Sequence, residues 1–308
     1  MCLTRFTTFS APGKNDSMSF QVARHEPDDD DAEAADDAGR MTIRISQRAE
    51  VSPRAGIGRG VRIGPYCVVG PDVTIGDGTR LESNVTITGR VTIGRHNRIF
   101  PGAVIGAEPQ DLSYRGGDTQ VVIGDHNVLR ESVTVNRATQ KEDGVTSIDS
   151  HCYFMSCSHV AHDCRIGSHV VVANNTLIGG HVRIADHASL SGGVGVHHFV
   201  TIGSYSFVGG LSRVQQDLPP FLLAEGIPAR PRCVNVVALK RADFSADVIN
   251  CLAQAHKLIY RAKVGLDHAR ELLRAKGILI PQVTEMLAFI QEQQEGRHGR
   301  SRERRRAA

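Results

Sequence analysis

Eight of the fourteen histidines crowd between residues 151 and 198: His151, His159, His162, His169, His181, His187, His197 and His198. Imidazole changes charge near neutral pH, so such a cluster is where general acid–base chemistry is sought first. His162, Gly180 and His198 are spaced by 18 residues, and Asp163 directly follows His162. If residues 18 apart are spatial neighbours, Gly180 lies beside His162 with a backbone N–H that no side chain shields. Asp163 can then orient the His162 ring or stabilise its protonated form. A general base beside an oxyanion donor supplies two of the pieces acyl transfer requires.

The elements that would hold these residues follow from a period of six. Aliphatic residues recur at Ile45, Val51, Ile57, Ile63 and onward to Ile105, again at Ile123, Leu129 and Val135, and then from Ile148 through Phe154 and Val160 to Val214. Six matches neither the helical period of 3.6 nor simple alternation. It marks a parallel β-helix of hexapeptides, in which three repeats close one coil and residues 18 apart stack. Stacked strands lie about 4.8 Å apart, so their side chains touch. Four residues beyond each aliphatic position the residue is small or β-branched, as at Val61, Val85, Ser158, Thr176, Ala188 and Ser206, which suits an inward corner. Outward histidines on such walls can be ordinary surface residues. A metal is the rival use, and the γ-class carbonic anhydrases bind one through histidines on this kind of scaffold. Zinc needs three convergent ligands, whereas His159, His162, His181 and His197 fall at different offsets, so neither metal nor cofactor is expected.

Two interruptions, 107–122 and 136–147, leave the register intact and must be loops thrown from corners. Loops on rigid scaffolds often bind ligands, and these are the expected substrate loops. The solenoid is expected over 41–220, ending at Asp217-Leu218-Pro219-Pro220. A helical domain is expected over 221–296, with Ser245 capping a helix whose apolar face includes Val248, Ile249, Leu252, Ala255, Ile259 and Ala262. Two more helices are expected near 265–276 and 281–294.

Composition agrees with a narrow aliphatic column: there is no tryptophan, 5% of residues are aromatic, and 31 are glycine. The formal charge of +3 conceals asymmetry. Residues 1–40 carry nine acidic and four basic side chains, too few apolar ones to fold, and are expected to be a disordered extension. Residues 297–308 carry six arginines and one glutamate and read as a solvated basic tail rather than a nucleic-acid binder. The seven cysteines form no CxxC pair, which suits a reduced, cytoplasmic setting, and Cys152 and Cys164 are expected inside as small hydrophobes. No apolar stretch is long enough for a transmembrane segment, and no signal peptide precedes the repeat, so a soluble protein is expected.

Across about residues 42–290 the sequence resembles the UDP-N-acetylglucosamine O-acyltransferases that begin lipid A synthesis. The resemblance rests on Gln110-Asp111-Leu112, Ile123-Gly124-Asp125, Arg130-Glu131-Ser132-Val133-Thr134, His159-Val160-Ala161-His162-Asp163-Cys164, Ala173-Asn174-Asn175, Gly180-His181-Val182, Val196-His197, Gln216-Asp217 and Leu239-Lys240-Arg241. It implies a mainly β fold, a left-handed parallel β-helix with a C-terminal α-helical domain, assembled as a homotrimer; the usual crossover rule would have predicted the right hand. It implies His162 as general base, Asp163 as its partner and the Gly180 N–H as oxyanion donor. His159, His181 and His197 match substrate-contacting positions, as does the place His198 occupies. Gln110 and Asp111 fall where the family holds sugar and acyl groups, and Asn235 and Arg241 where it meets the nucleotide. The implied partners are UDP-N-acetylglucosamine and a 3-hydroxyacyl chain on acyl carrier protein, an acidic protein that Lys240 and Arg241 could steer. Gly210 matches the acyl-length ruler, where glycine leaves room for a long chain. The sequence departs from the family's pattern at Ser113 (usually lysine), Asn136 (histidine), His198 (glutamine) and Val237 (glutamate). Two other readings stand beside this one: an N-acyltransferase on a 3-amino UDP-sugar, and a non-catalytic hexapeptide scaffold.

Overall fold

The computed structural model describes residues 42–297 and 299. The expectations for residues 1–40, and for the basic tail apart from Arg297 and Gly299, lie outside the described residues. Each hexapeptide contributes one short parallel strand, often only two residues long, and successive strands join three different walls. The first wall stacks Ile45, Ile63, Leu81 and Ile99 in register. The second stacks Val51, Val69, Ile87 and Ile105, and the third Ile57, Ile75 and Ile93. Past the interruptions Ile99 pairs with Leu129 and Leu129 with Phe154, and the 18-residue register then resumes with Phe154 on Val172. The breaks are therefore true insertions at corners, spanning residues 108–119 and 137–144 between strands.

The column between the walls is buried and aliphatic. Ile99, Ile105, Leu129, Val135, Phe154 and Ile178 are fully buried, as are the corner residues Val61, Val85, Ser158, Thr176, Ala188 and Ser206. Buried hydroxyls need partners: Thr176 Oγ1 donates to Ser191 O at 2.9 Å and Ser206 Oγ to Pro219 O at 2.9 Å. Cys152 and Cys164 do pack inside, their Sγ atoms 3.0 and 3.1 Å from the Gly167 and Gly179 carbonyl oxygens. Burial pushes the Cys152 thiol up to about 12, so it stays protonated.

Three residues past each aliphatic position many corners turn left-handed, a conformation that Asn, Asp and His tolerate better than most. On one edge this position reads His96, His126, His151, His169, His187 and Tyr205, with φ between 53° and 62°. Their rings stack at 4.6–5.1 Å into one column. Several of the crowded histidines are thus corner residues of the scaffold. On another edge the same position reads Asp163, His181 and Phe199, with φ of 60°, 61° and 65°.

The segment 221–296, expected as a helical domain, opens with a β-hairpin before its helices. Leu222–Gly226 extends the first wall in parallel with Phe207–Val208, and Ala229–Val234 pairs antiparallel with it. The reason is local: Leu222 and Ala224 are buried on alternate positions, a period of two. Helix α1 (Val236–Arg241) follows, then α2 (Ala246–His256), continued by a wider-wound turn at Lys257–Arg261, then α3 (Leu266–Ala275) and α4 (Pro281–Gln294). Ser245 caps α2 as its spacing predicts, its side chain accepting from Val248 N at 3.3 Å. Ile249, Leu252 and Ala255 of α2 and Val283, Met286 and Leu287 of α4 form buried helical faces. Among the described residues no helix is long and apolar enough to cross a membrane.

Candidate active site

The second wall carries the site. Strand Thr134–Asn136 pairs with His159–Val160, which pairs with Leu177–Ile178 and then Gly195–Val196. His162, Gly180 and His198 follow these strands at equal offsets, so stacking places Gly180 directly against His162. A Cβ on Gly180 would lie 2.6 Å from His162 Cε1 and 2.8 Å from Nε2. Glycine is required there because the ring occupies the space a side chain would fill.

The other face of the ring is anchored. His162 Nδ1 and Asp163 Oδ2 are 2.8 Å apart, and the Asp163 side chain is fully buried while that of His162 is 14% exposed. With Nδ1 committed to the carboxylate, Nε2 is the nitrogen available to a substrate. Asp163 is itself held: the Thr139 hydroxyl donates to Oδ2 at 2.7 Å, and the Thr139 N–H lies 3.2 Å from both carboxylate oxygens. Thr139 belongs to the second loop, and nothing in the repeat marks it.

His181 stacks on Asp163 at the same corner position, one coil on. It is 4% exposed, edge-on to the His162 ring at 5.1 Å and parallel to Phe199 at 4.4 Å. Its Nε2 lies 3.7 Å from Asp163 Oδ2, and its Nδ1 lies 3.3 Å from Oε1 of Glu142, another second-loop residue. One ligand atom from each of His162, Asp163 and His181 falls within 4.8 Å of the others. That proximity raises a metal reading that the offsets did not foresee. The geometry argues for a hydrogen-bonded group instead, since His162 Nδ1 points at the carboxylate and the carboxylate is already engaged by Thr139.

His159 sits beside this group, its Nδ1 2.7 Å from Thr134 Oγ1. Burial, and then the neighbouring His162 imidazole, pulls its pKa below the usual histidine value, which favours its neutral form. His197 and His198 lie two coils from His159 and one beyond His181, their rings 3.8 Å apart. Gly210 is exposed, and a Cβ there would meet only Gly192 O and Ser191 Oγ at 3.5 Å.

The two loops form one unit. Arg137 donates to Gly106 O at 3.0 Å and pairs with Glu108 at 2.9 Å; Gln140 Nε2 bonds Gly116 O; and Lys141 Nζ reaches Asp111 Oδ2 at 2.5 Å. Asn136 is buried and donates to Glu108 O at 2.6 Å, which fastens the first loop's root. Lys141 and Ser113 hold the Asp111 carboxyl well below the usual carboxylate range. Where Ser113 leaves no lysine beside the Gln110–Asp111 pair, Lys141 of the other loop brings an ammonium to it. Gln110 itself is exposed.

The remaining expected site residues lie at the first helix. Asn235 is buried, with Nδ2 donating to Tyr205 O at 2.8 Å and Oδ1 accepting from Ala238 N at 3.3 Å, which makes it the α1 cap. Arg241 ends α1 and is exposed.

Residues 217–299 match the family model for UDP-N-acetylglucosamine O-acyltransferase, domain 2, and residues 54–89 match that of the bacterial transferase hexapeptide, six repeats. An acyl-[acyl-carrier-protein]–UDP-N-acetylglucosamine O-acyltransferase of Paraburkholderia phymatum is 42% identical over 257 residues, covering 82% of this chain and 98% of that one. The chain belongs to the UDP-N-acetylglucosamine O-acyltransferase family. A relative of the same name from Synechocystis is 43% identical over 208 residues, 67% of this chain and 75% of its own. Among solved structures, LpxA of Acinetobacter baumannii is similar with a TM-score of 0.77 and 37% identity, covering 83% of this chain and 98% of its own. The LpxA of Bacteroides fragilis gives a TM-score of 0.78 at 36% identity, over 80% and 96% of the two chains. The solenoid is accordingly the family's left-handed parallel β-helix, and the chain is an acyltransferase.

Proposed function

We propose that this acyltransferase moves a 3-hydroxyacyl chain from acyl carrier protein to the 3-hydroxyl of UDP-N-acetylglucosamine, the step that opens lipid A synthesis. The observation that carries the mechanism is His162, anchored through Nδ1 to buried Asp163 and packed through its other edge on Gly180. His162 Nε2 takes the proton of the sugar hydroxyl as its oxygen attacks the thioester carbonyl carbon. The Gly180 N–H, on a buried residue, supports the oxyanion that forms. Collapse breaks the carbon–sulfur bond, and the thiolate leaves with the proton that His162 had taken.

Gln110 and Asp111 then hold sugar and acyl groups, with His159, His181, His197 and His198 along the same wall contacting substrate. Asn235 and Arg241 mark the nucleotide end, where Arg241 supplies charge and Asn235 fixes the turn that presents it. The missing side chain at exposed Gly210, where a Cβ would already touch Gly192 O and Ser191 Oγ at 3.5 Å, favours a long acyl chain. Exposed Lys240 and Arg241 are placed to steer an acidic carrier protein, and a homotrimer is the assembly the family suggests. No feature of the site favours an N-acyltransferase or a scaffold. His162→Ala is expected to lower turnover by several orders of magnitude with the melting temperature retained, read by mass spectrometry of the acylated sugar nucleotide. Activity within tenfold of the parent would remove His162 from the mechanism.

A further inference from the structure

Thr139 lies in a loop outside the repeat, yet it is 2% exposed and makes the closest contacts to the buried carboxylate. Its hydroxyl direction is determined by its neighbours. Thr139 Oγ1 accepts the Lys141 N–H at 3.1 Å, which leaves its own proton to point at Asp163 Oδ2, 2.7 Å away. That oxygen is the same one that His162 Nδ1 approaches at 2.8 Å. The Thr139 hydroxyl and His162 Nδ1 therefore make the two shortest contacts to one carboxylate oxygen, while the Thr139 N–H, 3.2 Å from both oxygens, holds the plane of the group.

We propose that the Thr139 hydroxyl is a positioning group that shares Asp163 Oδ2 with His162 and so limits how strongly the base retains its proton. This rests on the reading of His162 as general base. A carboxylate with one donor fewer stabilises the adjacent imidazolium more. Because the Thr139 backbone N–H remains in a valine variant, the carboxylate keeps its orientation and only the sharing is lost. The base then holds its proton to higher pH, and a smaller fraction is competent at neutrality. The other ionisable groups around the pair are His159 on the strand before it and His181 on the next coil, with Glu142 of the loop on the far nitrogen of His181. All three are unchanged by the substitution.

The test compares Thr139→Val and Thr139→Ser with the full-length parent. kcat/KM is measured against pH, alongside the rate of diethyl pyrocarbonate acylation of His162, followed by peptide mass spectrometry. Thr139→Val is expected to move the acid limb of both profiles up by about half to one pH unit, a typical effect of one hydrogen bond to a charged partner. On the acid limb it should cost about three- to tenfold in kcat, with the KM values within twofold. Thr139→Ser should restore the parent profile. An unmoved limb in Thr139→Val, or a serine variant that behaves like valine, overturns the proposal. The acylation profile reads His162 without turnover, so it decides the matter even if a variant is inactive. Failure of the underlying reading shows separately, as an active His162→Ala.

Discussion

Gly180→Ala tests the stacking argument at its most sensitive point. Gly180 is not among the left-handed residues, so alanine is permitted by the backbone and the whole effect falls on the neighbouring ring. The new methyl would lie 2.6, 2.8 and 3.1 Å from three atoms of His162, against 3.4 Å for ordinary contact. The ring must retreat by about 0.8 Å, and it cannot do so without disturbing the 2.8 Å contact to Asp163. A misplacement near 1 Å costs about 10²-fold in rate, and crowding of an oxyanion donor adds to that, up to about 10³-fold. The expected loss in kcat is therefore 10²- to 10³-fold, or about 3–4 kcal/mol of activation free energy. Gly195→Ala is the control: it lies on the same wall, two coils from His159, and a Cβ there meets nothing within 4 Å. The assay is steady-state turnover of an acyl carrier protein thioester with UDP-N-acetylglucosamine, with melting temperatures for all variants. Gly180→Ala within threefold of the parent would refute the placement of His162 against Gly180, and equal losses in both variants would refute its specificity.

Gly210→Met is expected to shift donor preference toward shorter 3-hydroxyacyl chains, measured with a panel of carrier-protein thioesters; an unchanged preference refutes the ruler. Lys141→Met should let the Asp111 carboxyl return toward its ordinary range and raise KM for the nucleotide sugar by about tenfold, worth about 1.4 kcal/mol, with kcat changed less; an unaltered KM separates Lys141 from substrate binding. The imidazole column predicts acid sensitivity. His126 and His169 are held below the usual histidine value by burial first and by neighbouring imidazoles next. As pH falls below about 6.5 the unfolded chain therefore takes up protons before the folded one, so stability is whole above that pH and declines as pH drops through the folded values. His169→Asn, which tolerates the left-handed corner, should flatten the fall in melting temperature between pH 7 and 5, and a slope equal to the parent's would show that the column does not titrate as a unit.

The walls were legible in the sequence because each strand position is dictated by a buried aliphatic residue, and the 18-residue stack then put Gly180 beside His162 by arithmetic alone. The same arithmetic applied to Asp163 would have found His181, one coil on at the same corner, and allowing for the second insertion would have paired Thr134 with His159. The loops were legible only as interruptions. Thr139, Lys141 and Glu142 have no place in the repeat, so no spacing relates them to Asp163, Asp111 or His181. The hairpin at 222–234 was missed for a different reason: its alternation is short and follows two prolines, where the helical signal read from about Cys233 dominates the window.

One coil alone can host this chemistry, and the second loop explains why. Past the second-wall strands, the paired offsets read Pro71-Asp72, His162-Asp163, Gly180-His181, His198-Phe199 and Gln216-Asp217 on different coils. Only at Val160 does an acid follow an imidazole, and there glycine lies on the coil above. The coil below, at Val135, departs from the repeat at this same corner and becomes the loop of residues 137–144. An ordinary corner there would have stacked a fixed side chain under Asp163, as His181 does from above. Leaving the repeat instead lets the chain return Thr139 to the carboxylate with both its N–H and its hydroxyl. The interruption is thus the means by which a regular column acquires one irregular, fully hydrogen-bonded acid beside the His162 ring.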